Sequence, residues 1–303
     1  MRRVSTDYIE RTCTTALSKV DAHMPFRWSL NPYVGCIHRC VFCYVRAFEQ
    51  RADRDAGEGY GRGIRVKVNI ATQLERDLAR ASWQHEGIAI GTATDPYQAA
   101  EGTYRLTREC LKVLTRARNP AALITRGPLI VRDADVLSEL SKSADFAVTV
   151  SVPTVDVDVC QKTEPGTAPP RQRLRAVRQL VDAGVKTGVA LAPLLPGITA
   201  TKASIGATMR AARDAGATHI WSGVLRLPPG TREHFLEALQ QEFPELVSRY
   251  ETLYARTANA PKEIRVAAEA YVKQQRREVG IADRRSTRLQ PSPAPLQLAL
   301  QRL

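Results

Sequence analysis

Cys36-Ile37-His38-Arg39-Cys40-Val41-Phe42-Cys43 follows directly after the first predicted strand of the chain, and its three cysteines have the spacing C-x3-C-x2-C. Three thiolates on one short loop can bind three corners of an iron–sulfur cube and leave the fourth iron without a protein ligand. In parallel βα architectures, loops at this end of the strands carry the functional groups. The stretch therefore predicts a cluster with one open iron, placed at the carboxyl edge of a sheet.

A zinc site is the alternative interpretation of this loop, with His38, Cys110 or Cys160 as the fourth ligand. Structural zinc sites normally combine two CxxC-like elements, whereas the chain has one, at Cys40 and Cys43. Cys110 lies on the apolar side of a predicted helix, where an unligated core cysteine is expected. The spacing therefore favours the cluster over zinc.

Short β-rich apolar runs alternate with helical patterns from Trp28 onward, which is typical of a parallel sheet built from successive βα units. Six strands are predicted, at 28–34, 88–92, 121–126, 146–152, 185–192 and 219–225. Apolar residues at helical spacing lie between them, at 74–81, 106–117, 174–181 and 205–212. The alternation alone fits either a barrel or a flat doubly wound sheet.

The 303 residues suffice for one large domain with appendages at both ends. We expect an N-terminal extension over 1–27, the βα core over 28–230, helices over 231–280 and a basic, proline-bearing tail without its own core over 281–303. Residues 64–70 alternate as an additional strand. The glycine-rich loop before it, with glycines at 57, 59, 61 and 63, is interpreted as a mobile connection, since it matches no phosphate-binding pattern.

The chain is basic, with 44 Lys and Arg against 31 Asp and Glu, a net charge of +13. Residues 273–303 hold seven basic and two acidic residues, so this end could contact the phosphates of a nucleic acid, although an Arg-rich solvated surface would give the same count. No apolar run is long enough to span a membrane, and the first residues lack the apolar core of a signal peptide. Six cysteines are too few for a disulfide scaffold, so a reducing cytoplasm is expected.

Residues 31–44 resemble the cluster loop of radical S-adenosylmethionine (SAM) enzymes, and more narrowly of the branch related to spore photoproduct lyase. Further matching stretches follow in consistent order within residues 28–280, at 91–98, 106–108, 124–126, 164–165 with 173–174, 192–197 and 225–228. The resemblance implies an α/β fold, a partial (β/α)6 barrel with N- and C-terminal extensions. It also implies a [4Fe-4S] cluster on Cys36, Cys40 and Cys43, SAM as second cofactor, and an electron donor such as flavodoxin or ferredoxin.

The resemblance further implies what the matched residues do. An electron from the cluster would cleave SAM, and the resulting 5′-deoxyadenosyl radical would abstract a hydrogen atom from the substrate. Thr92, Thr94 and Asp95 are expected to bind the methionine ammonium or to hold its loop, and Arg126 to pair with the methionine carboxylate. The remaining expected residues are Ser151 at the ribose, Leu195 and Phe42 at the adenine, Tyr44 in catalysis, and Glu164 supporting the site by pairing with Arg173.

Two positions depart from the pattern of spore photoproduct lyase. Thr92 stands where that enzyme has a hydrogen-donating cysteine, and Phe42 stands where it has the first of two tyrosines around the third cluster cysteine, whereas Tyr44 retains the second. Threonine and phenylalanine do not readily give up a hydrogen atom, so dimer repair by the same relay is not expected. We expect hydrogen abstraction from a nucleic acid or another large substrate. The alternative is a cluster-containing binding or structural protein without turnover.

Overall fold

The computed structural model of the protein describes residues 6–20, 24 and 26–284. Within these ranges the strands are β1 (Asp7–Arg11), β2 (Leu17–Lys19), β3 (Trp28–Leu30), β4 (Tyr33–Val34), β5 (Gly63–Lys67), β6 (Ile88–Ile90), β7 (Ala121–Thr125), β8 (Phe146–Ser151), β9 (Thr187–Leu194), β10 (His219–Val224) and β11 (Ala282–Asp283). The α-helices are α1 (Arg46–Arg51), α2 (Ile70–Leu78), α3 (Ala100–Tyr104), α4 (Leu106–Ala117), α5 (Ala134–Ser143), α6 (Val157–Thr163), α7 (Pro170–Asp182), α8 (Lys202–Asp214), α9 (Arg232–Glu242), α10 (Val247–Leu253) and α11 (Lys262–Val279).

The main sheet has eight strands in the order β11-β10-β9-β8-β7-β6-β3-β2. Its six central strands, β3 and β6 to β10, are the six predicted ones, and they run parallel to one another. Only β2 is antiparallel, against β3. Because the pairing ends at β11 and β2 within the described ranges, the sheet is not closed. The expectation of a partial (β/α)6 barrel is confirmed.

The main apolar core lies between this sheet and the helices that follow its strands. In α4 the side chains of Cys110, Leu111 and Leu114 are completely buried, at the spacing that places them on one helical face. Leu137 of α5 and Val148 of β8 are equally buried in the same core. The helical patterns of the sequence thus mark the faces that pack on the sheet, and Cys110 is a core residue as predicted.

The first predicted strand, 28–34, is divided into β3 and β4. Proline at position 32 has no N–H to donate to a strand partner, and β4 instead joins β5 and β1 in a second, three-stranded sheet. β5 is the additional strand predicted at 64–70, but helix α2 already begins at Ile70. Residues 1–27 gave no periodicity, yet they contain β1 and β2. Every residue of β1 is exposed, so it carries no apolar alternation.

Helices α9, α10 and α11 lie within residues 231–280, where the sequence led us to expect helices. The expected tail over 281–303 begins with β11, which adds a strand to the main sheet beside β10. The first residues of the expected tail therefore belong to the sheet, although two residues of backbone pairing leave no sequence pattern. Residues 285–303 lie outside the described residues. Among the helices of the described residues, none is long and apolar enough to cross a membrane.

Candidate active site

The three-cysteine loop runs from the end of β4 to α1 as a series of tight turns. The Cys36 carbonyl accepts a hydrogen bond from the Arg39 N–H (3.4 Å), and the Cys40 carbonyl accepts one from the Cys43 N–H (3.1 Å). Cys36 and Cys40 are buried and Cys43 is half-buried. Gly61 packs so tightly on this loop that a Cβ there would lie 2.4 Å from the Cys36 carbonyl oxygen. The glycine-rich connection is therefore packed against the cysteine loop, where the sequence suggested a mobile segment.

The loop after β6 fixes the start of the cysteine loop. Gln98 is completely buried, and its side-chain oxygen accepts the Ile37 N–H (3.1 Å). Its amide nitrogen donates to the Gly35 carbonyl (3.1 Å) and to the Thr94 hydroxyl (2.8 Å), and that hydroxyl donates to the same carbonyl (2.7 Å). Thr94 and Gln98 therefore hold the backbone that leads into Cys36. Gln98 lies in the matched stretch 91–98, but its role was missed.

Two later segments of the chain, the end of α6 with the residues after it and the residue before α9, hold the rest of the cysteine loop. The Val41 N–H donates to the Thr163 carbonyl (3.0 Å), and the Gly166 N–H donates to the His38 carbonyl (3.1 Å). The Thr231 hydroxyl donates to the Cys43 carbonyl (3.1 Å). The conformation of eight residues near the start of the chain thus depends on contacts with residues far along it.

Asp95 is buried and its carboxylate is fully engaged. It accepts hydrogen bonds from the Thr125 hydroxyl (2.6 Å), the Arg126 N–H (2.6 Å) and the Tyr97 N–H (2.9 Å). Nδ1 of His38 lies 3.2 Å from Oδ2, the carboxylate oxygen that also accepts the Arg126 N–H. Burial favours the protonated acid, but His38 and these donors lower the pKa of Asp95 to about 2. Two roles were expected for Asp95, binding the methionine ammonium or holding its loop. These hydrogen bonds are those of a residue that holds its loop.

The expected zinc ligands do not assemble around the loop cysteines. His38 is buried with Nδ1 3.2 Å from the Asp95 carboxylate, and although burial disfavours its imidazolium, the neighbouring Cys36 and Asp95 raise the pKa of His38 to about 10. Cys110 lies in the core, and the Cys160 sulfur accepts a hydrogen bond from Arg173 (3.2 Å). Among the described residues, no three His, Cys, Asp or Glu side chains are grouped as ligands of a single ion. In an iron–sulfur cube each thiolate binds a different iron, so the three cysteine sulfurs need not lie around a single point.

A buried ion network lies beside the loop, at the ends of β7 and β8. Glu164 accepts a hydrogen bond from Nε of Arg126 on one oxygen (2.5 Å) and from Nη1 of Arg173 on the other (2.8 Å). Glu164 and Arg173 are buried, and the Arg126 side chain is 21% exposed. Burial opposes ionisation, but the two guanidinium groups lower the pKa of Glu164, so it remains a carboxylate. The expected pairing of Glu164 with Arg173 is confirmed, and Arg126 belongs to the same network.

Apolar contacts join the expected adenine residues to the cysteine loop. Phe42, Cys40 and Leu195 belong to one buried apolar cluster that also includes residues of α9 and α10. The guanidinium carbon of Arg126 lies 5.8 Å from the centre of the Phe42 ring, within cation–π range. Ser151 is buried at the end of β8, and its carbonyl accepts a hydrogen bond from Arg173 (3.0 Å). The structure thus brings Phe42 and Leu195 together and places Ser151 beside the ion network.

Thr92 and Tyr44 meet at the exposed side of the site. The Tyr44 hydroxyl donates to the Thr92 carbonyl, and 46% of Tyr44 is exposed. Asn31 fixes this loop, since its amide nitrogen donates to the Thr92 hydroxyl (3.3 Å) and its oxygen accepts the Ala93 N–H (2.9 Å). Thr92, which departs from the pattern of spore photoproduct lyase, and Tyr44, which retains it, are therefore in direct contact.

Tyr60 was missed by the sequence analysis. Its hydroxyl lies 3.2 Å from the Cys43 sulfur, and the guanidinium of Arg46 lies over its ring, 4.4 Å from the centre. Burial, followed by the neighbouring Cys43 thiolate, raises the pKa of Tyr60 well above its ordinary value, so the hydroxyl stays protonated. Tyr60 lies in the glycine-rich loop, which shows no periodicity, and only its place between two glycines distinguished it.

The sequence is similar to those of several known proteins. An uncharacterised protein of Mycobacterium tuberculosis is 35% identical over 258 residues, which cover 84% of this chain and 76% of the relative. An uncharacterised protein of Acidianus two-tailed virus is 26% identical over 222 residues, covering 71% and 72%.

Solved structures show the same fold. A spore photoproduct lyase variant with bound SAM and dinucleoside spore photoproduct superposes with a TM-score of 0.70 at 14% identity, over 90% of this chain and 79% of that one. Streptococcus suis SuiB bound to SAM gives a TM-score of 0.50 at 15% identity, over 74% and 47%. The family model of the Radical SAM superfamily matches residues 30–206. The chain therefore belongs to the radical SAM superfamily, and is an enzyme that uses a [4Fe-4S] cluster and SAM.

Proposed function

We propose that this enzyme binds its cluster through Cys36, Cys40 and Cys43 and abstracts a hydrogen atom from a nucleic acid. The observation that carries the proposal is the convergence of the cysteine loop, the loop after β6 and the Arg126 network at the carboxyl edge of one parallel sheet. When bound, the reduced cluster and SAM supply a 5′-deoxyadenosyl radical. Membership of this enzyme family sets aside the alternative of a module without turnover.

Arg126 is the proposed partner of the methionine carboxylate. A guanidinium has five N–H donors, of which Nε is directed to Glu164 and one Nη2 donor to the Ala192 carbonyl (3.4 Å). Donors therefore remain for a planar anion, while Glu164 fixes the orientation of the group. Phe42 and Leu195 provide the apolar surface proposed for the adenine, and Ser151 is the proposed ribose contact.

Tyr44 is the proposed residue that faces the substrate. It is exposed beside the cysteine loop, and its hydroxyl contacts the loop that carries Thr92. Thr92 offers no thiol, so a product radical would not regain hydrogen from that position as it would from a cysteine. We therefore propose a hydrogen abstraction that ends differently from dimer repair, with an electron donor such as flavodoxin or ferredoxin in a reducing cytoplasm.

The cofactor proposal is tested on protein purified and reconstituted without oxygen. We expect about four irons per chain, and slow cleavage of SAM to methionine and 5′-deoxyadenosine after reduction with dithionite. Cys40→Ala should lose both, whereas the matched variant Cys110→Ala should retain both, since Cys110 is a core residue. Stoichiometric zinc without iron in the reconstituted protein would contradict the cluster.

The nucleic-acid proposal is supported by the net charge of +13 and by the dinucleoside spore photoproduct in the similar lyase structure. Binding to DNA or RNA should weaken steeply with salt, because neutralised phosphates release counterions. Ending the chain after Arg284 removes Arg285, Arg288 and Arg302, so the log–log salt slope should flatten by up to about 2.7. SAM cleavage should survive this truncation. No affinity for DNA or RNA at low salt would refute the nucleic-acid substrate and leave the cofactor chemistry intact.

A further inference from the structure

The loop between α1 and β5 brings a tyrosine hydroxyl to the third cysteine of the cluster loop. Tyr60 is 2% exposed, and its oxygen lies 3.2 Å from the Cys43 sulfur. Cys43, Cys36 and Val45 surround the tyrosine in a small buried cluster of their own. This contact is separate from the Arg126 network, which lies on the side of Cys40 and Phe42.

Contacts of Arg46 and Gly61 fix the loop between α1 and β5 and hold the Tyr60 hydroxyl beside Cys43. Arg46 is buried, and its Nη1 donates to the carbonyls of Ala56 (2.5 Å) and Gly57 (2.8 Å) while its guanidinium covers the Tyr60 ring. On the other side of the tyrosine, Gly61 has a φ of +77° and lies in contact with the Cys36 backbone. A side chain at 61 would be strained and would also collide with the cysteine loop. Tyr60 is thus held from both neighbouring segments.

A cysteine that binds iron is a thiolate and can only accept, so the Tyr60 hydroxyl is the donor in this contact. Reduction adds an electron to the cluster and its thiolates. A hydrogen bond to a ligand sulfur stabilises that added negative charge more than it stabilises the oxidised state. We infer that Tyr60 is a positioning residue that raises the reduction potential of the cluster through its hydrogen bond to Cys43. This inference rests on the proposed role of Cys43 as a cluster ligand.

The test is a redox titration of reconstituted protein, followed by the electron paramagnetic resonance signal of the reduced cluster. Tyr60→Phe keeps the ring beneath Arg46 and removes only the hydroxyl. We expect its midpoint potential to become more negative, with the ratio of reduced to oxidised cluster falling up to tenfold at a fixed potential, or about 59 mV for one electron. Tyr250→Phe is the matched control, because the buried Tyr250 hydroxyl has no hydrogen-bond partner among the described residues. Its potential should equal that of the wild type.

A second variant keeps the test decisive if Tyr60→Phe does not retain its cluster. A ring-fluorinated tyrosine at position 60 is a more acidic and therefore stronger donor, so the potential should become more positive. Unchanged potentials in cluster-loaded Tyr60→Phe or in the fluorinated protein would overturn the inference while leaving the cluster ligands in place. Wild-type protein that takes up no iron, or Cys43→Ala protein that retains a full cluster, would instead refute the proposed ligand set and the inference with it.

Discussion

Two buried regions of this protein are equally shielded from water but are built from different chemistry. Between the main sheet and its helices, Leu111, Leu137 and Val148 are completely buried in the apolar core. At the carboxyl edge of the sheet, Glu164 and Arg173 are as deeply buried, and each is paired with a charge from another element. Truncating a side chain in the first region creates a cavity, whereas neutralising one charge in the second leaves its partners buried and unpaired.

The largest effect is expected at Glu164. Glu164→Gln keeps the shape of the side chain but leaves Arg126 and Arg173 without a countercharge, so the free energy of unfolding should fall by about 3–5 kcal/mol. Urea denaturation of the variant measures this. Glu75→Gln removes an exposed carboxylate that pairs with Arg116 and should cost less than about 1 kcal/mol. Equal losses in the two variants would mean that the buried network contributes no more than a surface pair.

The second effect tests the apolar region. Leu137→Ala should lower the free energy of unfolding by about 2–5 kcal/mol, because the side chain is completely buried and its removal leaves a cavity. Val266→Ala on α11 is the control, since Val266 is 54% exposed and should change stability by no more than about 0.5 kcal/mol. Iron content per folded chain should be unchanged in both variants. Loss of iron from folded Leu137→Ala protein would show that the two regions are not independent.

His219 differs from both regions, because it is a buried polar group in the sheet and no acidic side chain of the described residues is paired with it. Its ring lies between the hydroxyls of Thr149 (3.3 Å) and Thr218 (3.0 Å), and Gly188 leaves room for it. Burial, followed by the positive charges of Arg284 and Lys186, lowers the pKa of His219 to about 4. Below its ordinary value of 6.5 the unfolded chain therefore binds a proton that the folded chain does not.

The stability that His219 contributes is thus complete above pH 6.5 and is lost as the pH falls towards 4. The loss amounts to about 3 kcal/mol at most. Urea midpoints of wild type and His219→Gln, measured from pH 7 to pH 4, should differ in slope, with the wild type steeper. The carboxylates titrate in both proteins, so their contribution to the pH dependence of stability cancels when the two are compared. Parallel pH profiles would show that His219 takes up its proton at the same pH in the folded and the unfolded chain.

The fold was largely predictable because its signal is local. Six strands and the helices α2, α4, α7, α8, α9 and α11 followed from apolar spacing along short windows. The secondary-structure prediction failed for elements in which buried and exposed residues do not alternate regularly. β1 is exposed throughout, and β11 is two residues long.

The candidate site was only partly predictable, because its groups are joined by contacts between distant residues. The cysteine spacing and the strand-end positions were visible in the sequence. In contrast, Tyr60, Gln98 and Asn31 acquire their roles only from partners at least 17 residues away. No pattern within a window of the sequence reports such a partner. The hydrogen bonds by which the Asp95 carboxylate holds its loop come from Thr125 and Arg126 as well as Tyr97, and they likewise leave no mark in the sequence.

The hydrogen bond from Thr231 to the Cys43 carbonyl spans 188 residues and sets an order of events during protein synthesis. The cysteine loop leaves the ribosome early, but the residues that fix it at Thr163, Gly166 and Thr231 follow much later. At bacterial and eukaryotic translation rates, about 10–40 s separate the third cysteine from Thr231. During that interval the thiols belong to an unfinished loop. The loop can therefore reach its final conformation only after Thr231, the residue just before α9, has been synthesised.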